Sequence, residues 1–114
     1  MVNVQWADVA EIEKIVPLFD AYRQFYEKPS DIRLSRAILN ARMSQQQSKV
    51  ILATDEAGVA LGFIQLYPLF SSLSMSLEES NVWLLNDLFV SPQARGQGVG
   101  AALLAFAQDW SAAE

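Results

Sequence analysis

Trp83-Leu84-Leu85-Asn86-Asp87-Leu88-Phe89-Val90-Ser91-Pro92-Gln93-Ala94-Arg95-Gly96-Gln97-Gly98-Val99-Gly100 passes through three kinds of chain in succession. It begins as an apolar, β-forming run, meets a stop at Ser91-Pro92, and places glycine at 96, 98 and 100 ahead of an Ala/Leu-rich segment. The order is strand, glycine loop, helix. A helix start leaves backbone N–H groups without partners at the positive end of the dipole. With no Cβ atoms in the way, an anionic group can sit directly on that main chain. Phosphate is the first candidate.

Three phosphate-binding signatures use such a loop. A P-loop needs Gly-Lys followed by Ser or Thr, whereas Gly100 is followed by Ala101-Ala102 and no lysine occurs after Lys49. A dinucleotide fold needs Gly-x-Gly-x-x-Gly and an acidic residue about 20 positions later. The spacing here is Gly-x-Gly-x-Gly, and the chain ends at Glu114. The third signature, Arg/Gln-x-x-Gly-x-Gly/Ala after an apolar strand ending in Val, is matched by Arg95-Gly96-Gln97-Gly98-Val99-Gly100 with Val90 preceding it. On these residues the chain resembles the GCN5-related N-acetyltransferase (GNAT) superfamily. Leu85-Asn86-Asp87-Leu88-Phe89-Val90 is similar to the Leu-Glu-Asp-Phe-Phe-Val strand of its polyamine (diamine) branch. Asn86 stands where that branch has Glu, which removes a negative charge.

Composition narrows the chemistry. The 114 residues, 52% hydrophobic and 18% charged, make one globular domain over residues 1–114. A chain of this length buries about 60 to 65% of its unfolded surface. With no Cys and no His, disulfides, thiolate or imidazole metal sites, cysteine nucleophiles and histidine bases are excluded, and no metal is expected. Chemistry must run on carboxylates, hydroxyls, backbone and the substrate itself. The balance of 13 acidic to 8 basic residues argues against nucleic acid. Arg95 is the one cation of the second half, so an anion near the glycine loop depends on backbone N–H groups and this guanidinium. No apolar run reaches the roughly 18 residues of a membrane span, and Met1-Val2-Asn3-Val4-Gln5-Trp6 has no signal-like core, so a cytoplasmic protein is expected.

Taken in order, Val2 to Trp6 predicts a short strand. Asp8 and Glu11 form a possible capping box, and Val9, Ile12, Val16 and Phe19 mark an amphipathic helix from about Asp8 to Tyr26. Pro17 within it predicts a kink or break. Leu34, Ile38 and Ala41 predict one face of a second helix ending near Met43. Lys49 to Thr54 and Val59 to Tyr67 predict a hairpin about Asp55-Glu56-Ala57-Gly58, with Pro68 as a bulge or strand exit. Ser71 to Ser80 reads as an exposed loop. Asn81 to Val90 returns antiparallel, and Val99, Leu103, Phe106 and Trp110 form the core stripe of a last helix.

The predicted order is β-α-α-β-β-β-α. It matches an α/β (α+β) acyl-CoA N-acyltransferase fold with a mostly antiparallel sheet. The family continues with a β-α-β-β portion of roughly 35 to 40 residues, because a parallel crossover and its strands need that length. The resemblance therefore implies a single, truncated domain. It also leaves the strand Asn81 to Val90 with an open edge, which predicts a homodimer or a strand-donating partner.

The resemblance further implies that acetyl-CoA lies along this strand as cosubstrate. The backbone of Leu88, Phe89 and Val90 would hold the pantetheine arm, with the Leu88 N–H facing the thioester oxygen. Arg95, Gly96, Gln97, Gly98, Val99, Gly100 and Ala101 would take the pyrophosphate. An N–H aimed at the developing oxyanion contributes about 3 to 4 kcal/mol in such sites. Leu88 and Val90 serve equally as core residues.

Acetyl transfer needs a neutral amine, and Asp87, the one acid inside an apolar strand, is the candidate base or a structural pairing. Tyr22, Tyr26 and Glu27, with Asn86, match the acceptor side of this branch and suit a cationic small-molecule amine, though the helical spacing also suits core packing. The Phe70 to Glu79 loop corresponds to another acceptor-side wall. The family's tyrosine that protonates the departing thiolate falls in the C-terminal portion, and Tyr67 is not placed by sequence to replace it. With no cysteine to carry an acetyl group, direct attack by the amine is expected. The alternative is a catalytically incomplete acetyl-CoA-binding or assembly module completed by a partner chain.

Overall fold

The computed structural model describes residues 2–70 and 81–113, with the side chains of 69, 70, 81–83 and 111–113 left aside. The Ser71 to Ser80 loop, including Glu78 and Glu79, lies outside the described residues. Strand β1 (Asn3–Ala7) leads through a one-turn 3-10 helix (Val9–Glu11) into α1 (Ile12–Phe25), followed by α2 (Ile32–Ser44). Strands β2 (Lys49–Thr54), β3 (Ala60–Phe70) and β4 (Asn81–Val90) come next, and α3 (Val99–Ala113) closes the chain. This is the order expected from sequence. The sheet runs β1-β2-β3-β4 with every neighbouring pair antiparallel. Among the described residues no helix is long and apolar enough to cross a membrane.

Strand alternation builds two cores on one sheet. Val50 and Leu52 of β2, Phe63 of β3 and Phe89 of β4 face α1 and α2, where Ile15, Val16, Phe19 and Leu39 meet them. The intervening Ile51, Ala53, Ile64 and Leu66 face α3 through Val99 and Leu103. Phe106 and Trp110 continue that stripe, and Trp6 meets both edge-on, at 5.6 and 5.2 Å between ring centroids. Gly62 sets how closely α3 approaches. A Cβ there would lie 2.8 Å from the Phe89 carbonyl oxygen and 3.2 Å from Val99 Cγ1, so glycine in this strand marks a close approach of main chain and helix.

The N-terminal capping box forms, with the Asp8 side chain accepting from Ala10 N–H and Glu11 accepting from Asp8 N–H. Helix α1 continues unbroken across Pro17. Pro17 faces solvent, where the Glu13 carbonyl deprived of its bond can be hydrated.

The face expected of α2 is corrected. Ser35, Leu39 and Met43 are buried, whereas Leu34 and Ala41 are exposed and Ile38 is half-buried. Asp20 is the reason. Only 3% exposed, it accepts from Ser30 Oγ (2.6 Å), Asp31 N–H (2.8 Å), Ser35 Oγ (2.9 Å) and Gln24 Nε2 (3.0 Å), so a polar residue is drawn into the α1–α2 contact. The bonds, led by that from Ser30, hold the Asp20 carboxyl below its ordinary 3.8 against the opposing effect of burial. A depressed folded-state value makes this contribution fully present above about pH 4 and lost as pH falls through the folded value. Asp20→Asn should therefore lower stability by about 1–3 kcal/mol at neutral pH. In denaturant titrations its deficit relative to wild type should shrink toward pH 3; a constant deficit would contradict this assignment.

A second correction concerns β3. The strand does not end or bulge at Pro68 but continues to Phe70, with Pro68 opposite Trp83. Pro68 lies beyond the last partner on β2, Leu66 opposite Lys49, where β3 has a single neighbour and a missing N–H is tolerated. The irregularity sits at Asn86, between the pairs Gln65–Asp87 and Leu66–Leu85.

Candidate active site

The parity of the β3–β4 ladder fixes where the main chain of β4 points. Ser91 N–H donates to Leu61 O at 2.8 Å, and the register continues through Gly62–Val90, Phe63–Phe89, Ile64–Leu88 and Gln65–Asp87. In an antiparallel pair, hydrogen-bonded and non-bonded partners alternate. Phe89 and Asp87 therefore turn their backbone groups toward β3, and Leu88 and Val90 turn theirs toward the outer edge. The Val90 carbonyl confirms this by accepting from Arg95 Nε at 3.2 Å. The Phe89 backbone, expected to help hold a pantetheine arm, is thus committed to the sheet, leaving the edge to Leu88 and Val90.

Beside this edge runs a groove of about 310 Å³ lined by Tyr22, Phe25, Tyr26, Leu88, Phe89, Val90 and Arg95. The Arg95 guanidinium lies 5.9 Å from the Phe25 ring and 5.7 Å from the Phe89 ring, and its Nε donates to the Val90 carbonyl, so its charge is held at the groove.

The loop that follows fits a diphosphate. Gly96 and Gly98 have φ of +86° and +77°, and a Cβ at either would meet nothing within 4 Å. These are conformations glycine adopts freely, on an open surface. Helix α3 starts at Val99, and its first loop-to-helix bond runs from Ala102 N–H to Gly98 O. Among the described residues the N–H groups of Gly96, Gln97, Gly98, Val99, Gly100 and Ala101 find no protein acceptor. Orphan amides at a helix start, one guanidinium and no obstructing Cβ are the donor set an acyl-CoA diphosphate requires.

Asp87 is 5% exposed and faces α1 beneath this edge. Its Oδ1 accepts from the Tyr22 hydroxyl and, at 3.2 Å, from Asn86 Nδ2. Its Oδ2 accepts from Gln65 Nε2 at 2.9 Å and the Tyr67 hydroxyl at 3.2 Å. All four donors are neutral. Burial pushes the Tyr22 phenol well above its ordinary range, aided by its bond to the Asp87 carboxylate. Burial, then the Asp87 charge, push the Tyr67 phenol up to about 12. Both are hydrogen-bond donors at neutral pH. Gln65 turns its nitrogen to the carboxylate, which leaves Gln65 Oε1 buried with no partner among the described residues.

Of the expected acceptor residues, Tyr22 and Tyr26 line the groove, and their rings meet edge-on at 5.1 Å between centroids. Asn86 is exposed at the bulge and reaches Asp87. Glu27 stands apart: it turns the chain at the end of α1 with φ of +64° and does not line the groove. Sequence reasoning missed Gln65 and Tyr67 as partners of Asp87. The available signal was alternation, since Phe63, Gln65 and Tyr67 share one face of β3 and Gln65 falls opposite Asp87 in the hairpin register.

The acetyltransferase (GNAT) family model matches residues 15–114. The chain is 44% identical over 109 residues to the uncharacterised N-acetyltransferase YhfO of Bacillus subtilis (strain 168), across 96% of this chain and 70% of that protein. A solved structure of a probable acetyltransferase superposes with a TM-score of 0.84 at 39% identity, covering 96% of this chain and 70% of that one. A predicted acetyltransferase from Clostridium acetobutylicum with acetyl-CoA shares the fold, with a TM-score of 0.66 at 14% identity over 92% of this chain and 70% of its own. The groove, the glycine loop and these likenesses agree: the chain has the acyl-CoA N-acyltransferase fold and belongs to the GNAT family of acetyltransferases.

Proposed function

We propose that this protein moves an acetyl group from acetyl-CoA to the primary amine of a small molecule by direct attack. The observation that carries the reading is the alignment of outward main chain at Leu88 and Val90 with the partnerless amides from Gly96 to Ala101, beside one groove. Leu88 N–H and Val90 N–H would hold the pantetheine arm and its thioester oxygen, and the loop amides with Arg95 would hold the diphosphate. The presence of acetyl-CoA in the Clostridium acetobutylicum structure of the same fold supports this donor. Dependence on that donor favours a cytoplasmic setting.

For the acceptor, Tyr22, Phe25 and Tyr26 offer aromatic faces suited to a cationic amine. The polyamine or diamine class remains the reading drawn from β4, with Asn86 in place of a carboxylate favouring a less highly charged amine. A thiol-release assay with acetyl-CoA against polyamines, amino acids and aminoglycosides tests the proposal. Turnover with at least one amine is expected; acetyl-CoA binding without turnover on any acceptor would defeat it.

One observation favours an assembly role alongside catalysis. The outer edge of β4 pairs with no strand among the described residues, and Leu84, Leu85 and Leu88 are 51%, 39% and 37% exposed there. Such an edge recruits a strand from a second copy or another chain. Sedimentation should show a dimer at micromolar concentration, and a monomer throughout would remove this role.

A further inference from the structure

We propose that the Tyr22 hydroxyl is the group that accepts the proton of the acceptor amine, passing its own proton to Asp87, which acts at one remove as the proton store. The inference rests on the acetyltransferase reading above and assigns the proton route that it leaves open.

Access is the first argument. Asp87 is 5% exposed and does not line the groove, so an amine beside Leu88 cannot reach the carboxylate directly. Among the described residues Tyr22 alone does both: it lines the groove with Leu88 and Val90, and its hydroxyl donates to Asp87 Oδ1. Tyr67 touches the other carboxylate oxygen but lies outside the groove lining.

Rigidity is the second. The Tyr22 ring packs edge-on against Phe63 (5.8 Å) and Phe89 (5.9 Å) and stacks on Phe19 (6.2 Å), leaving only the hydroxyl proton free to redirect. Charge is the third. Among the described residues the four hydrogen-bond partners of the Asp87 carboxylate are all neutral, so no guanidinium or ammonium is paired with its charge.

The step balances. The ammonium form of the acceptor gives one proton to Tyr22 Oη as the Tyr22 proton moves to Asp87 Oδ1, leaving a neutral amine, a neutral phenol and a neutral carboxyl. The nitrogen lone pair then forms the C–N bond at the thioester carbon. The C–S bond breaks with its electron pair going to sulfur, which takes the second nitrogen proton. Asp87 returns its proton through Tyr22 to water.

The test uses a series of acceptors of falling basicity: ethylamine and its mono-, di- and trifluoro derivatives. Tyr22→Phe should lower kcat about 100-fold or more for ethylamine, the lower end of general-base effects, and progressively less along the series, because a weakly basic amine arrives already neutral. Acetyl-CoA affinity should stay within about threefold of wild type. Tyr67→Phe, which removes a donor from the same carboxylate on its other oxygen, should change the rates of all four acceptors alike. A uniform loss in Tyr22→Phe, or a graded loss in Tyr67→Phe instead, overturns the relay while leaving acetyl transfer standing. Absence of turnover by the wild-type chain with every amine overturns both.

Discussion

Gly98→Val is expected to weaken acetyl-CoA binding about 100-fold or more, equivalent to roughly 2.7 kcal/mol. Gly98 sits at φ +77°, where a β-branched residue is strained by about 1–3 kcal/mol. Nothing lies within 4 Å of its missing Cβ, so packing does not force the loss. The loop escapes the strain by rotating its peptide planes, and the amides from Gly96 to Ala101 then cease to converge. Gly100→Ala is the control. Gly100 lies inside α3, and a Cβ there would sit 3.8 Å from Val90 Cγ2, an ordinary contact. Its affinity should stay within about threefold, as the signature's tolerance of alanine at that place implies. Calorimetric titration of both variants separates the readings, since equal affinity in Gly98→Val and wild type would remove the diphosphate from this loop.

Asp87→Ala should be the most destabilising change at the site. Removal of the carboxylate leaves the Tyr22, Gln65 and Tyr67 donors without their acceptor beneath the sheet, while the exposed Asn86 can turn to water. At about 1–3 kcal/mol for the buried ones, the loss should reach about 3 kcal/mol or more, lowering Tm by about 10–20 °C for a domain of this size. Asp87→Asn should be spared most of this. Its carboxamide oxygen can still accept from Tyr22, and Gln65 can turn its unpartnered Oε1 toward the new Nδ2. The asparagine variant should thus fold within about 1 kcal/mol of wild type yet lose about 100-fold or more in kcat, because it cannot store a proton. Thermal unfolding and turnover measured on both variants test this. Parallel loss of stability and rate in the two would make Asp87 purely a fold anchor.

The parts of the molecule that were readable in its sequence are those written locally. The run from Asn81 to Val90, closed by Ser91-Pro92, gave β4 its observed bounds, because apolar β-formers meet a residue pair that neither ladder nor helix accepts. The stripe Val99, Leu103, Phe106 and Trp110 placed α3 on the sheet for the same reason. What escaped the sequence was set across the fold. Ser35 is buried because Asp20, on another helix, needs its hydroxyl, so hydrophobicity alone chose the wrong face of α2. The bulge at Asn86 comes from the β3–β4 register and not from Pro68, the residue with the obvious local defect. Gln65 and Tyr67 joined Asp87 only once the hairpin brought together positions 22 and 20 apart, and Gly62 showed its purpose only against Phe89 and Val99.

Acetyl transfer at this site requires that the outward main chain of β4 and the glycine loop receive the acyl-CoA. Amide-resolved NMR during titration with acetyl-CoA addresses this directly. The predicted result is saturable shifts concentrated at Leu88, Val90 and the amides from Gly96 to Ala101, with Phe63 and Phe89, whose N–H groups face into the sheet, little changed. Shifts confined to other surfaces, or no shifts at millimolar acetyl-CoA, would contradict it.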